Sequence, residues 1–355
     1  MRRGRLRQTT RTVCAVWLIV VAMSCSGDRI AGPADHGGAI VDEIPHESLL
    51  DIPTYDGSGQ AVHPDVLYCQ SGRLGHFFYM AMTPYPNGNS QFENPCILVS
   101  EDGVGFREER EGLNPLVHCP PYDHNCDPDL TFTEQTGMFY LYYLETMRPD
   151  SQNVVLIKSR DAINWGKERV IHYDLESGDD FIVSPAVLKV GSEYYMFFVN
   201  LSLAGHPIQF LISDDGIRWE KDSTYGISAA YPDGLIPWHI DVFAGKAQYL
   251  MLCCGPNDDL NLYLAASTDL RNWQFAEEPV LRHSMDLYDS VAIYRSSGIV
   301  AGDFLVIWFS LLDVRGQWRI GVKKVSLQAL GVAQVSGPPC QVARQQRVDH
   351  SDVAL

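Results

Sequence analysis

One seven-residue phrase recurs four times in this chain, each time after an apolar stretch. The copies read SEDGVGF, SRDAINW, SDDGIRW and STDLRNW, and they begin at Ser100, Ser159, Ser213 and Ser267. Their first residues lie 59, 54 and 54 residues apart, and self-similarity at such a period is typical of a repeat architecture. An apolar strand, an Asp-containing turn and a closing aromatic residue indicate a β-hairpin that returns around the fold.

A second repeat runs in step with the first and places a small, polar or acidic cluster at the start of a short strand. Five such clusters occur, centred on residues 65, 129, 186, 241 and 290. A unit of about 55 residues with three or four strands is the size of one propeller blade. The two repeats therefore predict an all-β protein, a five-bladed β-propeller whose acidic clusters lie near the axis.

The two ends of the chain differ in composition from the repeats. Residues 1–24 join a basic, arginine-rich start to a short apolar run, which is the pattern of a secretory signal peptide. Cys25 ends a lipoprotein-like box, so we predict lipidation of Cys25 and a tether over 25–50, part of which is a candidate ring-closing strand. The propeller is expected over 51–330 and a polar tail over 331–355. We expect an exported protein, either anchored to the membrane by lipid or periplasmic or extracellular.

Charge and cysteine content narrow the function classes. The net charge is −17 although the leader contributes five arginines, so the body lacks the basic footprint that nucleic-acid binding needs. Cys119 and Cys126 lie close enough in sequence to pair in an oxidising compartment, and the sequence leaves that pairing open. No Cys-x-x-Cys pair occurs. We expect no cofactor, with a structural cation at the propeller axis as a further option, and a monomer whose partner is a carbohydrate.

The loop that joins the second and third strands of a blade is expected beside the axial clusters. In blade 1 this loop is long and carries aromatic, amide and acidic side chains. Amides and carboxylates hydrogen-bond sugar hydroxyls, and aromatic faces cover the apolar side of a sugar ring. We therefore predict substrate-binding roles for seven residues: His63, Tyr85, Glu93, Asn94, Asp127, His239 and Asp289.

The clusters His63-Pro64-Asp65 and Cys126-Asp127-Pro128-Asp129, together with the hairpin phrases, resemble the five-bladed propellers of glycoside hydrolase families 43 and 32. The similarity covers roughly residues 55–325. It implies three acidic residues from blades 1, 2 and 3: a base or nucleophile, a pKa-tuning Asp and a Glu acid. Asp65 matches the first, and Asp127 or Asp129 matches the second.

The third acidic position breaks the pattern, because Ser184 stands before the blade 3 proline where the family has Glu. Asp241 on blade 4 is the preferred substitute for the general acid, and Glu93 is the other candidate. The resemblance then implies an exported glycosidase that cleaves a polysaccharide or oligosaccharide by inversion, with Asp65, Asp129 and Asp241 as catalytic residues.

Two other readings of the same residues remain open. The missing acid favours a non-catalytic glycan-binding lipoprotein, and a protein-interaction propeller is a third reading. His63 and His239 are expected to orient a carboxylate or a sugar rather than to bind a metal, so no metal ligand is predicted.

Overall fold

Nearly all regular structure in this protein is β-strand, as the repeats predict. The computed structural model describes residues 37–119, 123–221, 226–256 and 260–330, in which one short α-helix, α1 (Gly37–Glu43), precedes nineteen strands. The predicted leader at 1–24, the lipidation site Cys25 and the tail at 331–355 lie outside the described residues. Within those ranges, no helix has the length and apolar character needed to cross a membrane.

The strands form five sheets in the described part of the chain, and each sheet is one blade. Blade 1 holds β2 (Ala61–Arg73), β3 (His76–Pro84) and β4 (Cys96–Ser100). Blade 2 holds β5 (His124–Thr133), β6 (Met138–Met147), β7 (Ser151–Ser159) and β8 (Gly166–Asp174). Blade 3 holds β9 (Ile182–Val190), β10 (Glu193–Asn200) and β11 (Ile208–Ser213).

Blade 4 holds β12 (Ser228–Ala230), β13 (His239–Ala244), β14 (Tyr249–Cys254), β15 (Leu262–Ser267) and β16 (Asn272–Phe275). Blade 5 holds β17 (Ser290–Ala301), β18 (Phe304–Asp313), β19 (Trp318–Ser326) and, from the other end of the chain, β1 (Glu47–Leu49). The neighbouring strands are antiparallel except for β12, which pairs with β16 in parallel. The predicted five-bladed β-propeller is therefore confirmed.

The ring is closed by β1, which lies in the stretch that the sequence offered for this purpose. It pairs antiparallel with β19, with Ser48 opposite Val322. The pairing continues at Leu50, whose N–H donates to the carbonyl of Ile320 at 2.9 Å. Blade 5 thus combines strands from both ends of the propeller, and this strand covers the outer edge of β19.

Five apolar clusters form the core, and each is shared by two neighbouring blades. Between blades 5 and 1, for example, the fully buried Trp308 packs on Phe78 with ring centroids 5.8 Å apart. The indole N–H of Trp308 also donates to the carbonyl of Gly103 at 2.9 Å. Burial of large side chains between blades is the main favourable contribution to holding the ring together.

The repeated phrase is a turn that the Asp side chain fixes. Asp161 shows the arrangement, because its Oδ1 accepts the N–H groups of Ile163 and Asn164 at 3.0 and 2.8 Å. The equivalent carboxylates accept two backbone N–H groups in the same way, at Asp102, Asp215 and Asp269. These Asp residues stabilise local backbone structure, so the chemistry of the protein has to come from the second repeat.

Candidate metal centre

The innermost strands of four blades carry an irregularity that redirects their side chains. In each of these strands, two consecutive residues lack a partner on the neighbouring strand. These pairs of residues are 63–64, 127–128, 184–185 and 294–295. In three of the four pairs the first residue has a positive φ, of 56° at His63, 52° at Asp127 and 57° at Ser184, and proline follows it. Because a bulge turns side chains out of the strict alternation of a strand, these residues face their counterparts on other blades.

His63, Asp127 and His239 meet at this end of the propeller, one each from blades 1, 2 and 4. One ligand atom from each residue lies within 4.8 Å of the others. Oδ1 of Asp127 is 3.3 Å from Nε2 of His63 and 3.4 Å from Nδ1 of His239. All three residues are buried, with no more than 3% of their surface exposed.

Neighbouring groups orient two of these side chains and leave their remaining polar atoms unpaired. Oδ2 of Asp127 accepts the N–H of Ser184 at 2.9 Å, and Nδ1 of His63 lies 3.0 Å from Oγ1 of Thr83. Oδ1 of Asp127, Nε2 of His63 and both nitrogens of His239 have no hydrogen-bond partner among the described residues. Buried polar atoms are rarely left unpaired, and here they converge on one point, which is the geometry of a cation site.

The protonation states of the three residues suit metal binding. Burial lowers the pKa of His63 to about 4 and lowers the pKa of His239 well below its usual value. Burial alone would raise the pKa of Asp127, but His239, His63 and Arg295 together lower it to about 2. Neutral imidazole and ionised carboxylate are the forms that bind metals, and this set fits a divalent transition metal such as Zn²⁺. The sequence predicts His63 and His239 as groups that orient a carboxylate or a sugar, and it leaves a structural cation at the axis as an option.

A buried guanidinium lies next to this centre. The side chain of Arg295 is fully buried, with Nη1 3.7 Å from Oδ1 of Asp127 and Nη2 3.8 Å from Oδ1 of Asp129. Nη2 also donates to the carbonyl of Pro185 at 3.0 Å. Since several carboxylates are buried around the axis, this fixed positive charge compensates part of their mutual repulsion.

The three residues predicted to be catalytic, Asp65, Asp129 and Asp241, form a second buried cluster. One carboxylate oxygen of each accepts a backbone N–H from the following blade, donated by Leu130, Val187 and Gly298 respectively. On blades 3 and 5 the hydroxyl oxygens of Ser184 and Ser297 take the place of the carboxylate oxygen. They accept the backbone N–H groups of Ile240 and Val66 respectively. This ring of interblade hydrogen bonds gives the carboxylates a structural task, while their catalytic role stays a prediction.

Glu93 is the acidic residue that the blade 1 loop brings to the metal centre. Only 5% of its surface is exposed, and its Oε2 is 3.9 Å from Nε2 of His124. Burial, followed by the charges of Asp127 and Asp123, raises the pKa of Glu93 well above its usual range. A carboxyl of this kind is suited to accept and return a proton during a reaction.

Aromatic rings line the other side of the same region. The ring of Tyr294 packs edge-on against His239 at 4.2 Å, Trp318 lies 5.1 Å from Tyr294, and Tyr85 lies 5.7 Å from Trp318. Tyr85 is thus connected to the centre through two further rings, which is consistent with the substrate-binding role predicted for it. Trp238 approaches His239 from a third direction at 6.2 Å.

Two predicted substrate-binding residues are placed differently. Asn94 braces the loop, since its Nδ2 donates to the hydroxyl of Tyr55 and its Oδ1 accepts from Asn125, both at 3.0 Å. Asp289 is exposed in the turn before β17 and belongs to none of the metal-ligand clusters among the described residues. Cys119 and Cys126, whose pairing the sequence left open, are both free thiols.

Sequence reasoning missed three residues of this site: His124, Tyr294 and Arg295. His124 precedes Asp127 by three positions in one strand, and that spacing could have drawn attention to it. The bulge at Tyr294 and Arg295 has no proline to mark it, unlike those of blades 1, 2 and 3. Only the pairing register of β17 shows that blade 5 repeats the feature.

Comparisons with known proteins show which proteins this chain is similar to. No family model matches the chain. The chain is 28% identical to the A type blood N-acetyl-alpha-D-galactosamine deacetylase of Flavonifractor plautii, in an alignment that covers 79% of this chain and 44% of the relative. The chain therefore spans less than half the length of that curated relative.

Solved structures show which fold the chain has. A crystal structure of an N-acetylgalactosamine deacetylase from F. plautii, in complex with blood group B trisaccharide, has a TM-score of 0.67 at 23% identity, covering 78% of this chain and 94% of that one. A thermostable family-43 glycoside hydrolase has a TM-score of 0.59 at 14% identity, with coverages of 79% and 94%. An α-L-arabinanase of Cellvibrio cellulosa has a TM-score of 0.52 at 11% identity, with coverages of 75% and 91%. The predicted resemblance to the family 43 propellers is thus confirmed at the level of the fold.

Proposed function

We propose that this protein is a glycan-acting, metal-dependent hydrolase that removes an acetyl group from an acetamido sugar. The observation that carries the proposal is the convergence of unpaired, buried atoms of His63, Asp127 and His239 on one point. Three protein ligands leave a coordination position open, which is the arrangement of catalytic rather than structural metal sites. The named activity of the 28% identical relative, removal of acetyl from N-acetylgalactosamine, supports the same substrate class.

The chain provides the other groups that amide hydrolysis needs. A divalent ion in this site, when bound, supplies Lewis-acid polarisation and lowers the pKa of water. Glu93 is close enough to Asp127 for the two charges to interact, and its raised pKa suits a general base that takes the proton of the attacking water. The same carboxyl then returns that proton to the amine nitrogen as the C–N bond breaks.

The aromatic side of the pocket supports a sugar as the substrate. Trp318 contacts Tyr294, and Tyr85 contacts Trp318, so the three rings form a continuous row. Their faces offer a platform for the apolar side of a pyranose ring, which would leave the acetamido group directed toward Glu93 and the metal centre. Arg148, which is mostly exposed and paired with Asp123 at 3.1 Å, is a further polar group for contacts with a sugar.

An inverting glycosidase that uses Asp65, Asp129 and Asp241 is the second candidate. One observation favours it: burial and the charge of Asp65 raise the pKa of Asp241 to about 7, a value that suits a general acid. Against it stands the blade 3 position, where Ser184 replaces the Glu acid that the resemblance implies. A glycan-binding lipoprotein without activity is the reading that remains if neither reaction occurs.

Product analysis separates these readings. The purified protein is incubated with an oligosaccharide that ends in N-acetylgalactosamine, and acetate and reducing sugar are measured together. We expect acetate without new reducing ends, loss of the activity after EDTA treatment, and recovery on addition of Zn²⁺, Mn²⁺ or Co²⁺. His239→Ala should abolish acetate release, whereas His172→Ala, an exposed histidine on β8, serves as the matched control. Reducing sugar that appears without acetate, and resists EDTA, would establish the glycosidase instead.

We also propose that the protein is exported, carries a lipid on Cys25 and acts as a monomer. The basic and apolar composition of residues 1–24 and the box that ends at Cys25 support this. Metabolic labelling with palmitate tests it, since the wild-type chain should take up label and the Cys25→Ser chain should not. Equal labelling of both chains would contradict lipidation at this residue.

A further inference from the structure

Tyr294 brings a phenol to the metal centre from the bulge of blade 5. Its ring centroid lies 4.2 Å from that of His239 and 5.3 Å from that of His63, so it packs against both imidazoles. The residue is only partly buried, unlike those two histidines. Part of its side chain is therefore accessible to a substrate that approaches the metal ligands.

Among the described residues, the hydroxyl of Tyr294 accepts one hydrogen bond and donates none. Nε1 of Trp238 lies 3.4 Å from Oη and donates a hydrogen bond to it. In the described part of the chain, no acceptor takes the proton of this hydroxyl. Because Oη accepts from Trp238, its own O–H must point elsewhere. The two imidazoles on which the ring of Tyr294 packs are also the ones that lie 3.3 and 3.4 Å from Oδ1 of Asp127, so the phenol lies beside the proposed ligand set.

We propose that the hydroxyl of Tyr294 is a catalytic hydrogen-bond donor to the acyl oxygen of the substrate, and that Trp238 positions it. The proposal rests on the function proposed above and adds a residue to its mechanism. Attack of the water oxygen on the acyl carbon turns the carbonyl oxygen into an oxyanion, and Tyr294 donates to that oxygen without giving up its proton. Glu93 carries the water proton to nitrogen, the C–N bond breaks, and acetate and the amino sugar leave.

A fixed neutral donor is well suited to this task. A phenol has an unperturbed pKa of about 10, so at neutral pH it carries the proton that it donates. A donor that is already oriented requires no reorganisation when charge develops on the substrate oxygen. Removal of one such donor from an oxyanion site typically lowers kcat by about 10²–10³-fold.

The test compares Tyr294→Phe with a matched variant, Tyr231→Phe, which removes a phenol that packs on Phe275 in blade 4 outside the pocket. We expect Tyr294→Phe to lower kcat for acetate release by about 10²–10³-fold. Its KM, metal content and melting temperature should stay close to those of the wild type. Trp238→Phe should lower kcat by a smaller factor, and Tyr231→Phe should leave kcat unchanged.

A binding measurement gives a readout besides turnover. A methylphosphonamidate of the amino sugar carries a tetrahedral, anionic oxygen in place of the acyl oxygen. Tyr294→Phe should weaken its binding by about 10²-fold in calorimetry and leave the affinity for the free amino sugar unchanged.

Two results would overturn the proposal: full kcat and analogue affinity in Tyr294→Phe, or a rise in KM alone, which would mean that the ring only packs on the sugar. Failure of the wild type to release acetate would overturn the proposed function itself, and this outcome is visible before any variant is made.

Discussion

At the scale of single residues, Asp127 combines two tasks that are usually separate. One carboxylate oxygen accepts a backbone N–H from Ser184 and so joins blade 2 to blade 3. The other oxygen faces two imidazoles without any hydrogen bond. The hydrogen bond from Ser184 to Oδ2 orients the carboxylate so that Oδ1 is available for metal binding. Hydrogen bonds to metal ligands commonly have this orienting role.

Asp127→Asn tests the metal centre at this scale. The amide has the same shape but lacks the negative charge, so we expect the affinity for Zn²⁺ to fall by at least about 100-fold. Equilibrium dialysis with metal analysis measures the affinity directly. Zn²⁺ should also raise the melting temperature of the wild type and of Asp214→Asn, an exposed control, but not that of Asp127→Asn. Equal affinity in all three proteins would rule out this ligand set.

At the scale of secondary-structure elements, the two repeats of the sequence have different tasks. The hairpin phrase fixes turns through Asp carboxylates that accept backbone N–H groups, as Asp161 does. The axial repeat holds the bulges, where His63 and Asp127 leave the strand alternation. The hairpin turns follow β4, β7, β11 and β15, whereas the bulges lie in β2, β5, β9 and β17, so the two repeats act on different strands. Changes in the hairpin turns should therefore affect stability more than the metal centre.

We expect the Asp carboxylates of these turns to make a pH-dependent contribution to the free energy of unfolding. The N–H of Asn164, helped by its side chain, lowers the pKa of Asp161 below its usual value. A lowered carboxyl pKa stabilises the fold above the unfolded pKa of about 3.9, and this contribution is lost as pH falls through the folded pKa. Asp161→Ala should therefore cost about 1 kcal/mol in the free energy of unfolding at pH 7, and less at pH 2 to 3.

Urea unfolding at the two pH values measures this difference. Asp214→Ala, which changes an exposed Asp in the equivalent phrase of blade 3, is the control and should show no such pH dependence. A cost for Asp161→Ala that stays the same at both pH values would mean that the carboxylate charge does not contribute.

At the scale of the whole molecule, the propeller is held by one short strand and five shared cores. Only three residues, Glu47–Leu49, form the strand that closes the ring. The segment around them contributes more through burial, since Leu50 is 4% exposed within the cluster between blades 5 and 1. Loss of this cluster would expose the edge of β19 and separate the first blade from the last.

Leu50→Ala should consequently destabilise the entire ring. Truncation of a buried Leu typically costs about 2–5 kcal/mol, and here the loss falls on the contact that closes the circle. Urea unfolding followed by tryptophan fluorescence should show one transition at lower urea than the wild type. Asp51→Ala, next in sequence but exposed, should unfold like the wild type. A decrease of less than about 0.5 kcal/mol in the free energy of unfolding would mean that ring closure depends on other contacts.

The sequence by itself determined the fold, the number of blades and the end of the propeller where the candidate site lies. Those features depend on strand alternation and on turn residues, which act over a few positions and leave a period that can be read directly. It also marked His63, Asp127, His239 and Glu93 one by one as polar groups near the axis, although as sugar contacts.

Only the tertiary structure decided which atoms of these residues are paired. Asp65, Asp127 and Asp129 look equivalent in sequence, and each accepts a backbone N–H of the next blade through one carboxylate oxygen. The difference lies in the other oxygen, since Oδ1 of Asp127 faces two imidazoles without a hydrogen bond. The partners of these atoms come from other blades, and a bulge that shifts the pairing register by one residue determines which atoms meet. Hydrogen-bond pairing across the axis is therefore a property of the closed ring, and no local pattern records it.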